Sequence, residues 1–272
     1  MTTLRDAGRL FAGSIPEVYD KYLVPLIFEP YAIDLSTRLS RSPPAKLLEL
    51  AAGTGAVTRR LALELPGTEI TATDLNQPML DRAGSVGTSR PVSWRQADAQ
   101  SLPFANAAFD AVVCQFGVMF FPDKVRAFAE ARRVLRPGGR LLFNAWDRIE
   151  DNEFAAVVTD ALANMLPPEL PSFVKRIPHG YHDARTIARD LSLAGFAAAP
   201  DIETVTARSV AASPRVVAIG YCQGTPLRAE IEAQGPAKLD EATERAERAL
   251  AGRFGSGAIE GRIQAIVVSV AR

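Results

Sequence analysis

KLLELAAGTGAVTRRLAL, residues 46–63, is the stretch that decides the fold. Leu47, Leu48, Leu50 and Ala51 form an apolar run of strand length, suited to burial on both faces and interrupted by one acid, Glu49. Gly53-Thr54-Gly55 follows, and then Val57, Leu61 and Leu65 recur along one side of a helix. Strand, glycine turn and helix start make a nucleotide-binding corner, because a Cβ at the turn would block the approach of backbone to ligand. A dinucleotide site asks for G-x-G-x-x-G, with the helix N-terminus facing a pyrophosphate, but the third glycine position is Thr58. A carboxylate just ahead of the turn would repel a pyrophosphate and would suit a ligand carrying an ammonium group.

The chain alternates strand and helix on the far side of this corner. Residues 68–73 (TEITAT) read as a second strand ending in Asp74, about twenty residues past the turn, where an acid can accept both ribose hydroxyls. The plainer role for Asp74 is a helix-start acid. Asn76 is placed to cap a helix with Pro78 in its first turn. Residues 92–97 form a third strand leading to Asp98, and 109–116 (FDAVVCQF) a fourth, buried one. Residues 122–135 pattern as an amphipathic helix stopped by Pro137-Gly138-Gly139, and 140–146 (RLLFNAW) as a fifth strand. Alternation of this kind argues for an open, mostly parallel sheet with helices on both faces.

Glu49-Leu50-Ala51-Ala52-Gly53-Thr54-Gly55 resembles the first motif of class I S-adenosylmethionine (SAM) dependent methyltransferases, an acid and small residues before G-x-G, with Ala51 where the family often has glycine. Gln96-Ala97-Asp98-Ala99 followed by Leu102-Pro103-Phe104 is similar to the third motif, and the fourth strand also matches. Arg133-Val134-Leu135-Arg136-Pro137-Gly138-Gly139 resembles the corresponding motif of the type 11 group, which includes enzymes of ubiquinone and menaquinone biosynthesis. The matching motifs cover about residues 46–146, and their order and spacing are more specific than any one of them. The resemblance implies a doubly wound, Rossmann-like α/β fold with strand order 3-2-1-4-5-7-6, the seventh strand antiparallel, and a helical cap inserted after strand 5. It implies SAM as cofactor, held by Tyr22, Glu49, Ala51, Gly53, Gly55, Asp74, Leu75, Met79, Asp98, Ala99, Gln115 and Phe116. In that reading Asp98 accepts from the adenine amino group and the N–H of Ala99 reaches a ring nitrogen.

Ahead of the first strand, apolar and aromatic residues from Val18 to Leu35 recur at helical spacing, with Pro25 and Pro30 dividing them into two short helices. Tyr19-Asp20-Lys21-Tyr22 resembles the N-terminal lid of small-molecule methyltransferases, although such tyrosines often only pack on a core. Past the fifth strand a helix around residues 154–162 should end at Pro167, Pro168 and Pro171, and a second helix should run from Asp183 to Ala194. A sixth strand is expected from Gly195 to about Thr206, helices across 213–254 and a closing strand at 264–270. The division is therefore a lid at 1–45, a cofactor core at 46–146, a substrate cap at 147–182 and the rest of the sheet and helices at 183–272.

Zero formal net charge among 31 basic and 31 acidic residues supplies no field for nucleic acid or an anionic membrane. Two cysteines give neither a disulfide framework nor a metal cluster, and no apolar run is long enough to span a bilayer. A cytoplasmic protein, monomeric or homodimeric and without a metal, is the expectation, also because the N-terminus lacks a signal-peptide core. The function implied is methyl transfer (EC 2.1.1.-) to a small, largely apolar acceptor, by O-, N- or C-methylation. Tyr19, Phe173 and Tyr181 are the candidate acceptor contacts, and His179 or His182 a base if the acceptor must lose a proton. Two other readings stand beside it: a SAM-binding protein without transferase activity, and a nicotinamide-dependent oxidoreductase on a similar sheet.

Overall fold

Leu47 and Leu48 are both fully buried, but in different cores. Successive side chains of a strand point to opposite faces, so the first strand is covered on both sides. The computed structural model describes residues 11, 13–166, 172–235 and 237–272. Its sheet runs β3-β2-β1-β4-β5-β7-β6, with β1 at Lys46–Leu50, β2 at Glu69–Asp74, β3 at Ser93–Gln96, β4 at Phe109–Gln115, β5 at Leu135–Trp146, β6 at Asp201–Ala211 and β7 at Ile259–Ala271. The first five strands are parallel and β7 is antiparallel to both its neighbours, as the resemblance implied. The order reverses between β1 and β4, so the carboxyl ends of these two strands flank the crevice where open α/β sheets bind ligands.

Several boundaries differ from the sequence reading, each for a local reason. Pro25 and Pro30 do not break the N-terminal segment. α1 (Ile15–Val18) continues into a π-helical stretch, Tyr19–Phe28, and then into α2 (Glu29–Ser40). Pro25 sits where hydrogen bonds reach five residues back, as Glu29 N–H does to Val24 O, and Pro30 occupies the first turn of α2, where no donor is needed. The Pro137-Gly138-Gly139 stretch does not stop a helix. α5 (Lys124–Val134) is preceded by α3 (Ala56–Glu64) and α4 (Gln77–Val86) and already ends before Leu135. β5 begins there, and the glycines sit beside a shift of register against β4 between Phe109 and Ala111.

The third strand is shorter than expected, and β6 starts at Asp201 rather than Gly195, which is a left-handed helix end (φ +90°) against Arg132. β7 is longer because its pairing with β6 extends to Ile259. Beyond β5 come α6 (Glu153–Leu162), α7 (Phe173–Arg176), α8 (Ala184–Leu193), α9 (Pro214–Gln223), α10 (Leu227–Glu232) and α11 (Lys238–Phe254). In α11 Glu244 pairs with Arg248 at 3.7 Å, and Glu241 pairs with Lys238. The helix-ending prolines 167, 168 and 171 lie outside the described residues.

At the switch point the loops after β1 and β4 come into direct contact. A Cβ on Gly117 would lie 2.5 Å from Ala51 Cβ and 2.7 Å from Cys114 Sγ. Gly117 has ordinary φ (−104°), so space and not backbone conformation demands the glycine. Gly117→Ala should therefore lower the unfolding free energy by about 1–3 kcal/mol in urea titrations. Adding Ala51→Gly should recover more than the two single effects sum to, and an unchanged midpoint for Gly117→Ala would contradict the close approach.

Candidate active site

The turn after β1 is held in an unusual conformation by groups at the end of β2. Ala51, Gly53 and Gly55 have φ of +52°, +56° and +83°. Ala52 N–H donates to Thr73 O at 2.9 Å. Asp74, the last residue of β2, accepts from Gly53 N–H on Oδ2 and from Asn76 N–H on Oδ1, both at 2.8 Å. One buried carboxylate thus joins two loops. Burial raises the Asp74 acid above its ordinary value, against the opposing pull of the Asn76 and Gly53 donors. Asn76 stands at the N-cap position of α4 without capping it by its side chain. Its Nδ2 reaches back to Asp74 Oδ1 at 3.2 Å instead, and its Oδ1 is buried with no partner among the described residues.

A cleft with about 900 Å³ of open space lies over this turn. Ala51, Gly53, Asp74, Leu75, Met79, Asp98, Ala99, Gln115 and Phe116 all line it, so the topology brings together nine of the twelve residues the resemblance assigned to a cofactor. Asp98 is held by Gln100 N–H at 2.8 Å. Three of the twelve lie elsewhere. Gly55 is outside the lining: a Cβ there would meet Trp94 Cη2 at 2.9 Å, so it serves the left-handed start of α3 and its packing, not an approach to ligand. Tyr22 is half-buried, with its Cβ near Gly220 and Lys21 Nζ over its ring. Tyr19, expected to touch acceptor, lines the cleft in its place.

Glu49 sits one layer down, 1% exposed, facing a narrow recess that also includes Tyr19, Ala52, Gly53, Thr54 and Gln115. Thr58 Oγ1 donates to its Oε2 at 2.6 Å. Burial pushes the Glu49 acid up to about 8, the Thr58 bond opposing. Two more oxygens of this recess, Thr54 Oγ1 and Gln115 Oε1, are buried and have no partner among the described residues. Unsatisfied buried acceptors are uncommon in folded proteins. Three acceptor groups around one recess fit the ammonium end of an amino-acid-bearing ligand, and Asp74, in the cleft wall, fits a ribose.

A second cavity, about 600 Å³ of open space, adjoins the first through Phe11, Tyr19, Phe116 and Phe120, which line both. Its wall is aromatic. Phe116 stacks on Trp146 at 3.8 Å and 8°, and Tyr19 on Phe28 at 4.9 Å. Phe116 is aimed by strain: it has φ +49°, and its N–H is fixed by Asn144 Oδ1 at 2.8 Å. Phe173 and His179 complete the wall from the cap side. His179 is buried, with Nδ1 2.7 Å from Asp147 O. A carbonyl can only accept, so Nδ1 carries the proton and Nε2 is left as an acceptor. Burial pushes the His179 pKa down to about 4, the Asp147 bond opposing.

The other two cap residues stand off this cavity. His182 is half-buried, with Nδ1 2.9 Å from His179 O. Tyr181 is buried beneath Lys124 Nζ, and its hydroxyl donates to Asp190 Oδ2 at 2.9 Å, an anchor of the cap on α8. Sequence reasoning missed Trp146, Phe120, Tyr221 and Asn144. A lone amide inside the apolar run RLLFNAW was the one available signal, and it marked Asn144.

Residues 48–143 match the family described as methyltransferase domain. A demethylmenaquinone methyltransferase of Thermus thermophilus is 41% identical over 113 residues, 41% of this chain and 50% of that protein. The ubiquinone/menaquinone biosynthesis C-methyltransferase UbiE of Cereibacter sphaeroides is 38% identical over 108 residues, 38% of this chain and 43% of that one. The chain thus spans about half the length of the curated relatives it matches. Among solved structures, phosphoethanolamine N-methyltransferase 2 of Haemonchus contortus, in complex with S-adenosyl-L-methionine, superposes with a TM-score of 0.61 at 16% identity, over all of this chain and 60% of that one. The YcgJ protein of Bacillus subtilis gives 0.56 at 18%, over 89% of this chain and 98% of that one. Residues 48–143 are thus similar to a methyltransferase domain, and the solved structures share the fold of this chain.

His179 should stay neutral through pH 6–8, its ring carbon shifts moving only as the pH nears 4. An unfolded histidine titrates near 6.5, so between these values the folded chain binds fewer protons than the unfolded one. This contribution to stability is full above about pH 6.5 and is lost as pH falls toward 4, and His179→Gln should flatten that part of the stability curve. A His179 midpoint near 6.5 would contradict the arrangement.

Proposed function

We propose that this protein is a SAM-dependent methyltransferase acting in the cytoplasm on a small, largely apolar acceptor. The observation that carries the reading is the shared wall: the cleft lined by the motif residues and the aromatic cavity meet at Tyr19 and Phe116. Bound SAM would supply a methyl group on a sulfonium, activated for in-line displacement. Asp74 would hold the ribose, Asp98 and Ala99 the adenine, and Glu49 with Gln115 and Thr54 the methionyl ammonium. Phe116, Trp146 and Phe28 would clamp a planar acceptor and exclude water. The relatives named for demethylmenaquinone and for ubiquinone/menaquinone biosynthesis make an aromatic acceptor the natural choice for such walls. His179 Nε2 faces this task as the proton acceptor; its Nδ1–H on Asp147 O fixes the tautomer. His182 lies behind it and is not needed for the step.

S-adenosylhomocysteine should raise the melting temperature while NAD leaves it unchanged, and a labelled-methyl screen over phenols, quinols, amines and acids should give product with an aromatic acceptor. A shift with NAD alone would overturn the reading, and binding without product in the screen would favour a module that binds SAM and transfers nothing. Asp74→Ala should weaken S-adenosylhomocysteine binding by about 1.5–3 kcal/mol in calorimetry; unchanged affinity in the folded variant would leave Asp74 a purely structural tie between its two loops.

The Glu49 acid at about 8 adds a pH signature. An ammonium seated beside it favours the carboxylate, so binding should release a proton and tighten from pH 6 to 8. Glu49→Gln should abolish that slope. A pH-independent affinity in the parent would remove Glu49 from the site.

A further inference from the structure

The π-helical stretch Tyr19–Phe28 is gripped on two sides. On the apolar side Leu23 packs on α9, where a Cβ on Gly220 would lie 3.1 Å from Leu23 Cδ2. On the polar side Asp20, its side chain 9% exposed, receives Arg59 Nη2 at 3.1 Å and Arg82 through Nε at 3.2 Å and Nη2 at 2.9 Å. A carboxylate taken out of water and met by two guanidinium groups is a strong, directional tie. Both arginines stand on helices that follow the cofactor-side turns. Arg59, on α3, also donates through Nη1 to Thr54 O at 2.6 Å, inside the glycine turn. Arg82, on α4, follows Met79 of the cleft lining by one helical turn. Tyr19, the neighbour of Asp20, lines the cofactor cleft, the aromatic cavity and the Glu49 recess.

We infer that Asp20 is a positioning residue that registers the N-terminal helix against the cofactor turn and so sets how long a cofactor stays bound. The carboxylate locks Tyr19 across the junction of the two cavities through Arg59 and Arg82. A cofactor then leaves only when both guanidinium bonds let go. The Leu23 contact keeps the helix on the protein when they do, so loss of the tie loosens the site without unfolding the chain. The inference rests on the cleft being the SAM site.

The test is the dissociation rate of S-adenosylhomocysteine from the full chain by surface plasmon resonance. Asp20→Asn should speed dissociation by about tenfold or more, and Arg82→Gln, which leaves Arg59 in place, by less. Asp20→Glu should restore part of the residence time. Salt should accelerate release from the parent and not from Asp20→Asn, a response that a packing defect does not produce. Equal dissociation rates in parent and both Asp20→Asn and Arg82→Gln overturn this inference alone. A parent that binds no S-adenosylhomocysteine overturns the proposed cofactor and this inference with it.

Discussion

The rest of the structure depends on how closely the loop after β1 approaches the loop after β4. Ala51 and Phe116, at the ends of these strands, both have positive φ, and Gly117 leaves no room for a Cβ between them and Cys114. That contact closes the switch point of the sheet, beside the wall of Phe11, Tyr19, Phe116 and Phe120 that the two cavities share. The strain at Phe116 is tolerated because Asn144 takes its N–H and Trp146 takes its ring. β5 therefore does more than extend the sheet: it aims the wall between the cavities.

Polar satisfaction divides the two cavities by chemistry. The motif-lined cleft and the Glu49 recess beneath it hold Asp74 and oxygens of Asn76, Thr54 and Gln115 that are unpartnered among the described residues, and they fit a ligand that donates hydrogen bonds. The cap-side cavity is aromatic, and its histidine is kept neutral by burial and single in tautomer by Asp147. In the proposed reading a donor-rich cofactor in one and an apolar acceptor in the other are complementary halves of one reaction, and the likeness of residues 48–143 to a methyltransferase domain suggests the class of that reaction.

The alternation of strand and helix was legible from local patterns, and the order of strands and most of the cleft lining through the resemblance that the motifs carry. An apolar run, a glycine turn and an acid at the next strand end each report on a few neighbouring residues, and the topology assembles them at one edge. What stayed hidden is long-range. Gly55 and Gly53 look alike in sequence, yet only the packing of Trp94 tells that Gly55 serves a helix start. Tyr19 and Tyr22 lie less than a helical turn apart, and the π-helical winding decides which one faces the cavities. Tyr181 and His182 read as site residues until tertiary contacts assign them to Asp190 and to the backbone of His179. Pro25 and Pro30 read as breakers, although one sits in a wide turn and the other in a first turn.

A crystal structure with S-adenosylhomocysteine tests the central claim most directly. The expected result places the ribose on Asp74, the ammonium in the Glu49, Gln115 and Thr54 recess, and the sulfur at the Tyr19–Phe116 junction facing the aromatic cavity. A ligand whose sulfur points away from that junction, or an adenosine seated in the aromatic cavity itself, would contradict the account.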